Sequence, residues 1–147
     1  MMKISTRFFG EVEYTEEEVI TFTQEMPGLE DYKQFLPIPL EADSPFTYLQ
    51  SVDEENLVLL VVDPFHFFQD YDFAISEAAQ LELDIQNVTD VEVRTIVSVN
   101  EKQSEAAVNL IAPILIHVRN KKARQLILHD SPYSFKHKLP LPIGESV

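Results

Sequence analysis

The chain contains no cysteine, no tryptophan and only three glycines, and its 25 acidic residues outnumber 11 basic ones. Without cysteine there is no disulfide framework, no thiolate nucleophile and no Cys-ligated zinc. The glycines, at 10, 28 and 144, stand too far apart for a phosphate-cradling loop. Lack of tryptophan weakens a sugar-binding reading, although paired carboxylates for glycoside chemistry remain formally available. None of the four histidines, His66, His117, His129 and His137, lies at the spacing of a helical metal site. The longest aliphatic run, 57–62, is far short of the roughly 20 residues a membrane helix needs. The first residues, Met1-Met2-Lys3-Ile4-Ser5-Thr6-Arg7, lack the apolar segment of a signal peptide. A soluble, cytoplasmic protein without cofactor is the expectation.

What is present is acid and β-forming sequence. The formal net charge is −14, and residues 1–105 carry 23 acidic against 5 basic side chains, a net of −18. The remaining residues are net basic, with Arg119, Lys121, Lys122 and Arg124 close to one turn. Such a field repels nucleic acid and speeds encounter with basic proteins, besides conferring solubility.

At 147 residues, without repeats or a flexible linker, the chain reads as one domain spanning 1–147, its tail from about 138 loosely ordered. Short alternating or β-branched runs recur at 3–8, 11–14, 19–22, 35–40, 47–51, 57–62, 91–99, 106–118 and 124–128. Pro37 and Pro39 confine 35–40 to an edge or a bulge. The runs 47–51 and 57–62 form a hairpin through the acidic loop at 53–56. Val91, Val93, Thr95, Val97 and Val99 share one face of a strand. One helix is predicted over 76–83, with Ser76 as its N-cap. So many short strands imply a mainly β fold, a compact antiparallel barrel-like domain with one short helix; a sandwich would suit the same pattern.

Candidate chemistry is sparse. Asp63 and His66 are the one close carboxylate–histidine pair, but the sequence supplies neither nucleophile nor oxyanion hole. The acidic runs Glu16-Glu17-Glu18 and Asp53-Glu54-Glu55 lack the ligand spacing of a calcium loop and read as solvated loops. His117 reads as a satisfied core or edge histidine inside an apolar strand. The segment Asp63-Pro64-Phe65-His66-Phe67-Phe68-Gln69-Asp70-Tyr71 packs three Phe and one Tyr between acids. Either its rings turn into the core, or they form an aromatic patch with an acidic rim, as in protein interfaces.

Ordered blocks along the chain resemble one known family. They are Thr6-Arg7-Phe8-Phe9-Gly10-Glu11-Val12-Glu13-Tyr14, Met26-Pro27-Gly28-Leu29-Glu30, Pro45-Phe46-Thr47-Tyr48-Leu49-Gln50-Ser51, Asp63-Pro64 with Phe68-Gln69-Asp70-Tyr71, and Asn109-Leu110-Ile111-Ala112-Pro113-Ile114-Leu115-Ile116. In this order they resemble the flagellar assembly factor family FliW, over about residues 3–140. His117 departs from that pattern, which leads to asparagine there. The resemblance implies a non-catalytic regulator that binds the carboxy-terminal region of flagellin and also CsrA, a basic dimeric RNA-binding repressor of flagellin translation. The two partners would compete, so that export of flagellin frees the regulator to capture CsrA. A flagellin export chaperone without CsrA, and a carboxylate-based hydrolase, are the alternatives. For CsrA contact the candidates are Phe65, Phe68, Asp70 and Tyr71, supported by Asp53, Glu54 and Glu55. For flagellin they are Phe35, Leu36 and Ile38, on a strand edge open to strand addition.

Overall fold

The computed structural model describes residues 2–100, 102, 105–129 and 131–139. Among these residues there are eleven strands and one α-helix: β1 (Met2–Thr6), β2 (Gly10–Tyr14), β3 (Ile20–Phe22), β4 (Gln34–Pro39), β5 (Phe46–Ser51), β6 (Val58–Val62), α1 (Glu77–Leu83), β7 (Val91–Asn100), β8 (Glu105–Val108), β9 (Ile114–His117), β10 (Lys122–Gln125) and β11 (His137–Lys138). Seven of the strands close a ring in the order β7-β6-β5-β4-β3-β10-β9, with β9 pairing back onto β7. Closure leaves no continuous free edge beside the aliphatic β6. Every pairing among the described residues is antiparallel except β3 with β10. The mainly β, barrel-like fold with one helix is therefore as expected, with a single parallel seam that the pattern did not indicate.

Alternation along each strand fills the barrel. Ile20, Phe22, Phe35, Leu49, Val61, Ile114, Ile116 and Ala123 pack together inside, with Met26 plugging the cluster. On β7 the inward residue is Ile96, packed against that interior cluster. The shared face of Val91, Val93 and Val97 points the other way, into an outer layer. There α1 lays Ala79 and Leu83 against Val91, Val93, Leu115 and Leu126. Ser76 caps α1 as predicted, its Oγ accepting the Ala79 N–H at 3.2 Å. The pairing of β7 with β6 ends at Thr95 and Ile96, opposite Val62 and Val61. From Val97 onward β7 leaves the ring and pairs with β8, which in turn pairs with β11.

Two expectations need correction. The predicted strand 106–118 is two strands, β8 and β9, separated by a turn in which Asn109 Oδ1 accepts the Ala112 N–H at 3.1 Å. Pro113 follows, and its missing N–H ends any continuous ladder. The tail expected from about 138 starts inside β11: Lys138 pairs with Ala107 and Leu139 is buried. Residues 140–147 lie outside the described residues.

The prolines of β4 behave as predicted. Beyond Phe35 the strand pairs only with β5, so Pro37 and Pro39 sit where one side has no partner strand. The hairpin β1–β2 turns at Gly10, whose φ of +69° favours glycine. It lies against the barrel through Phe9, edge-on to Tyr48 at 5.3 Å, and through the Arg7 N–H on the Glu55 carbonyl.

His117 is buried, and its Nδ1 accepts the Arg119 and Asn120 N–H groups at 3.1 and 3.3 Å. An asparagine Oδ1 occupies the equivalent branch position and makes the same turn. The surplus atom, Nε2, has no hydrogen-bond partner among the described residues. His117→Asn is therefore expected to leave stability nearly unchanged, whereas His117→Ala costs about 2 kcal/mol. Urea unfolding of both variants checks this, and equal losses would contradict it.

Candidate functional site: an acid-rimmed aromatic groove

The aromatic segment leaves β6 through a short 3-10 turn. Asp63 caps that turn, its Oδ1 accepting the Phe65 N–H at 3.0 Å, and Pro64 fits the first position. Asp63 is thus used structurally, and the His66 ring packs edge-on to Phe67 at 4.8 Å. No Asp–His catalytic pairing is formed between them.

The rings divide between core and surface. Tyr71 is buried, and its hydroxyl donates to the Leu110 carbonyl at 2.7 Å. Burial, with Tyr133 nearby, holds its hydroxyl well above the usual phenol range. Around it stand Tyr133 at 4.7 Å, Phe73 at 5.3 Å and Phe65 at 5.8 Å between ring centroids. Phe68 is half-buried beside His137. Phe65 remains 42 % exposed, and Asp70 is exposed. Of the four aromatic-segment candidates, Tyr71 is thereby a core anchor whose ring supports Phe65, while Phe65 and Asp70 face outward.

A groove of about 460 Å³ opens beside Phe65. Its apolar lining includes Phe73, Ile75, Val88, Val91 and Val93, and Asp63, Asp72 and Glu92 bring acid to it. Among the described residues Arg94 is the one basic lining residue, and it already pairs with Glu92 at 3.5 Å. Val88 stands almost fully exposed at the rim. Sequence reading missed these residues as a groove wall, since only Asn87 and Asp90, flanking an apolar residue as turn formers, marked the place.

Asp90 fixes that rim. Its Oδ2 accepts the Gln86 and Asn87 N–H groups, both at 2.9 Å, and its Oδ1 takes Arg119 at 2.8 Å. The Gln86 bond and the Arg119 guanidinium lead in pushing its carboxyl down to about 2. Because the folded value lies below the unfolded one of about 3.9, the carboxylate's contribution is complete above about pH 5. It is lost as pH falls through about 2. Unfolding experiments across pH 2–6 are expected to show a steeper acid loss in the native protein than in Asp90→Asn; parallel curves would contradict this.

The other candidates lie elsewhere. Asp53, Glu54 and Glu55 occupy the opposite end of the β5–β6 hairpin, separated from Phe65 by β6, roughly 16 Å of strand. Their loop is pinned from beneath: Gln50 Nε2 reaches the Glu54 and Glu55 carbonyls, and Ser51 Oγ accepts the Asp53 and Glu54 N–H groups. The Glu54 carboxylate is engaged with Asn56, which leaves Asp53 and Glu55 outward. Phe35 and Leu36 are buried, so of the edge-strand candidates only Ile38 is partly exposed. The Phe35 ring points into the barrel, edge-on to Phe22 at 5.6 Å.

Among the described residues no group of three or more His, Asp or Glu is placed to hold a metal ion, and no helix is long and apolar enough to cross a membrane. The site's resources are shape, apolar surface and negative charge.

Residues 3–139 match the family model described as FliW protein. A protein named flagellar assembly factor FliW from Bacillus subtilis is 45% identical over 143 residues, covering 97% of both chains. One of the same name from Clostridium botulinum is 33% identical over 138 residues, covering 94% of this chain and 96% of its own. A crystal structure of the flagellar assembly factor FliW superposes with a TM-score of 0.86 at 31% identity, covering 97% of this chain and all of that one.

Proposed function

The chain belongs to the FliW family, and from that premise we propose that it is a non-enzymatic cytoplasmic regulator of flagellar assembly that exchanges flagellin for the repressor CsrA. Free of flagellin, it captures CsrA and relieves repression of flagellin translation. Occupied by flagellin, it leaves CsrA free to repress.

The observation that carries this reading is the Phe65 groove, apolar at its centre and acidic at its rim, on a chain with net −18 over residues 1–105. A repressor that binds RNA needs Lys and Arg for phosphate, so its surface complements this one. The same acid held against CsrA raises the electrostatic cost of bringing RNA nearby. Inhibition can then occur without covering the RNA site.

Calorimetric titration of CsrA into this protein at rising ionic strength tests the proposal. Binding that weakens steeply with salt is expected, along with loss of RNA from CsrA. Binding of flagellin alone, with CsrA ignored, would leave an export chaperone in its place.

A further inference from the structure

Beyond the barrel, the end of β7 builds a small sheet of its own. From Val97 onward it pairs with β8, and β8 pairs with β11, so that Ser98, Ala107 and Lys138 stand in one row across three strands. The inner face of this sheet belongs to the core: Val97, Ala106, Val108 and Leu139 are buried in one cluster. Alternation turns Ser98, Glu105, Ala107 and Lys138 to the outer face. With Lys102 and Lys136 they line a groove of about 690 Å³. The small side chains of Ser98 and Ala107 let a partner approach its middle.

The charge of this face is opposite to that of the chain. Among the described residues, three lysines and one glutamate line it, on a protein of formal net charge −14. Lys138 reaches Glu105 at 3.7 Å, and Lys102 and Lys136 form no ion pair among the described residues. β11 is the outermost strand of the sheet. The Leu139 N–H bonds the Ala106 carbonyl at 2.9 Å. By alternation the Lys138 N–H and C=O then face away from β8, where no strand lies among the described residues. Lysine at such an edge discourages pairing with neutral or basic strands, whereas an acidic strand gains cross-strand ion pairs. Lys136 and Lys138, two residues apart along an extended segment, lie about 6–7 Å from one another, the spacing of acids at alternate positions of an added strand. The outward main-chain donor and acceptor of Lys138 suit a polypeptide backbone, and the described lining has no aromatic ring for a nucleic-acid base to stack on.

We propose that this face takes an extended acidic segment of a partner polypeptide, added beside β11 with carboxylates at alternate positions against Lys136 and Lys138. It is a second surface, at the opposite end of β7 from the Phe65 groove and selecting the opposite charge. It depends on neither of the partners named above.

Magnetic resonance titration of the full chain at low salt, with an end-blocked octapeptide alternating threonine and glutamate, tests it. The peptide is expected to shift the Lys138 amide resonance and to bind about tenfold or more tightly than its glutamine counterpart, while a lysine counterpart does not bind. Lys136 and Lys138 are exposed. The double variant Lys136→Glu/Lys138→Glu should therefore fold, lose the glutamate peptide and accept the lysine peptide. Equal binding of the three peptides overturns the proposal, as does no binding at millimolar concentration. Binding that leaves Lys138 unshifted, or a charge-reversed variant that keeps the original preference, overturns it too. An octauridylate RNA that binds as tightly, with the same shifts, would put nucleic acid in place of a polypeptide. Should the double variant fail to fold, the comparison of peptides on the wild-type protein decides by itself.

Discussion

Phe35→Ala is expected to cost about 3–5 kcal/mol of folding stability, because the ring it removes lies wholly inside the barrel. Phe35 meets Phe22 edge-on and contacts the cluster of Leu49, Val61 and Ile114 that every ring strand helps to build. The neighbouring strands are tied into a closed ring and can collapse only partly into the space left behind. Set against the roughly 5–15 kcal/mol typical of a domain, the loss is severe. Any fall in partner binding would then follow the unfolded fraction rather than a lost contact. Urea unfolding measures it directly, and a loss below about 1 kcal/mol would place Phe35 outside the core.

Phe65→Ala should behave in the opposite way. Its ring is 42 % exposed and rests on Tyr71, so truncation leaves the buried Tyr71–Leu110 hydrogen bond in place. Stability should change by less than about 1 kcal/mol. Affinity for CsrA should fall by about 2 kcal/mol or more, roughly thirtyfold, as for an aromatic anchor at the centre of an interface. Calorimetry with circular dichroism as the folding control reads both quantities. An unaltered CsrA affinity would remove the Phe65 groove from the interface.

These two phenylalanines show where sequence reasoning succeeds and where it stops. Two β-like runs joined by an acidic loop located the β5–β6 hairpin, period-two alternation located the face of β7, and proline chemistry located the half-open β4. Alternation does not say which side of a strand is inside, nor which distant strand is its neighbour. The valine face of β7 therefore turned outward to meet α1, while Ile96 faces the barrel. The parallel β3–β10 seam joins residues about a hundred positions apart, with no local turn to announce it.

The candidate site was legible to the same degree. Clustered aromatics signalled 63–71, but ring composition could not separate Tyr71, drawn in by the Leu110 carbonyl, from Phe65, left at the surface. The acids at 53–55 looked close in sequence, yet β6 carries them to the far end of the hairpin. The groove wall at Val88 depends on a carboxylate at Asp90 reaching back to two backbone N–H groups, a tertiary detail of a capped turn.

Size-exclusion chromatography of this protein with CsrA, with and without flagellin, is the decisive test of the proposed exchange of partners. A stable complex with CsrA that added flagellin dissolves is the predicted result. Elution of CsrA alone, while flagellin co-elutes with the protein, would contradict it.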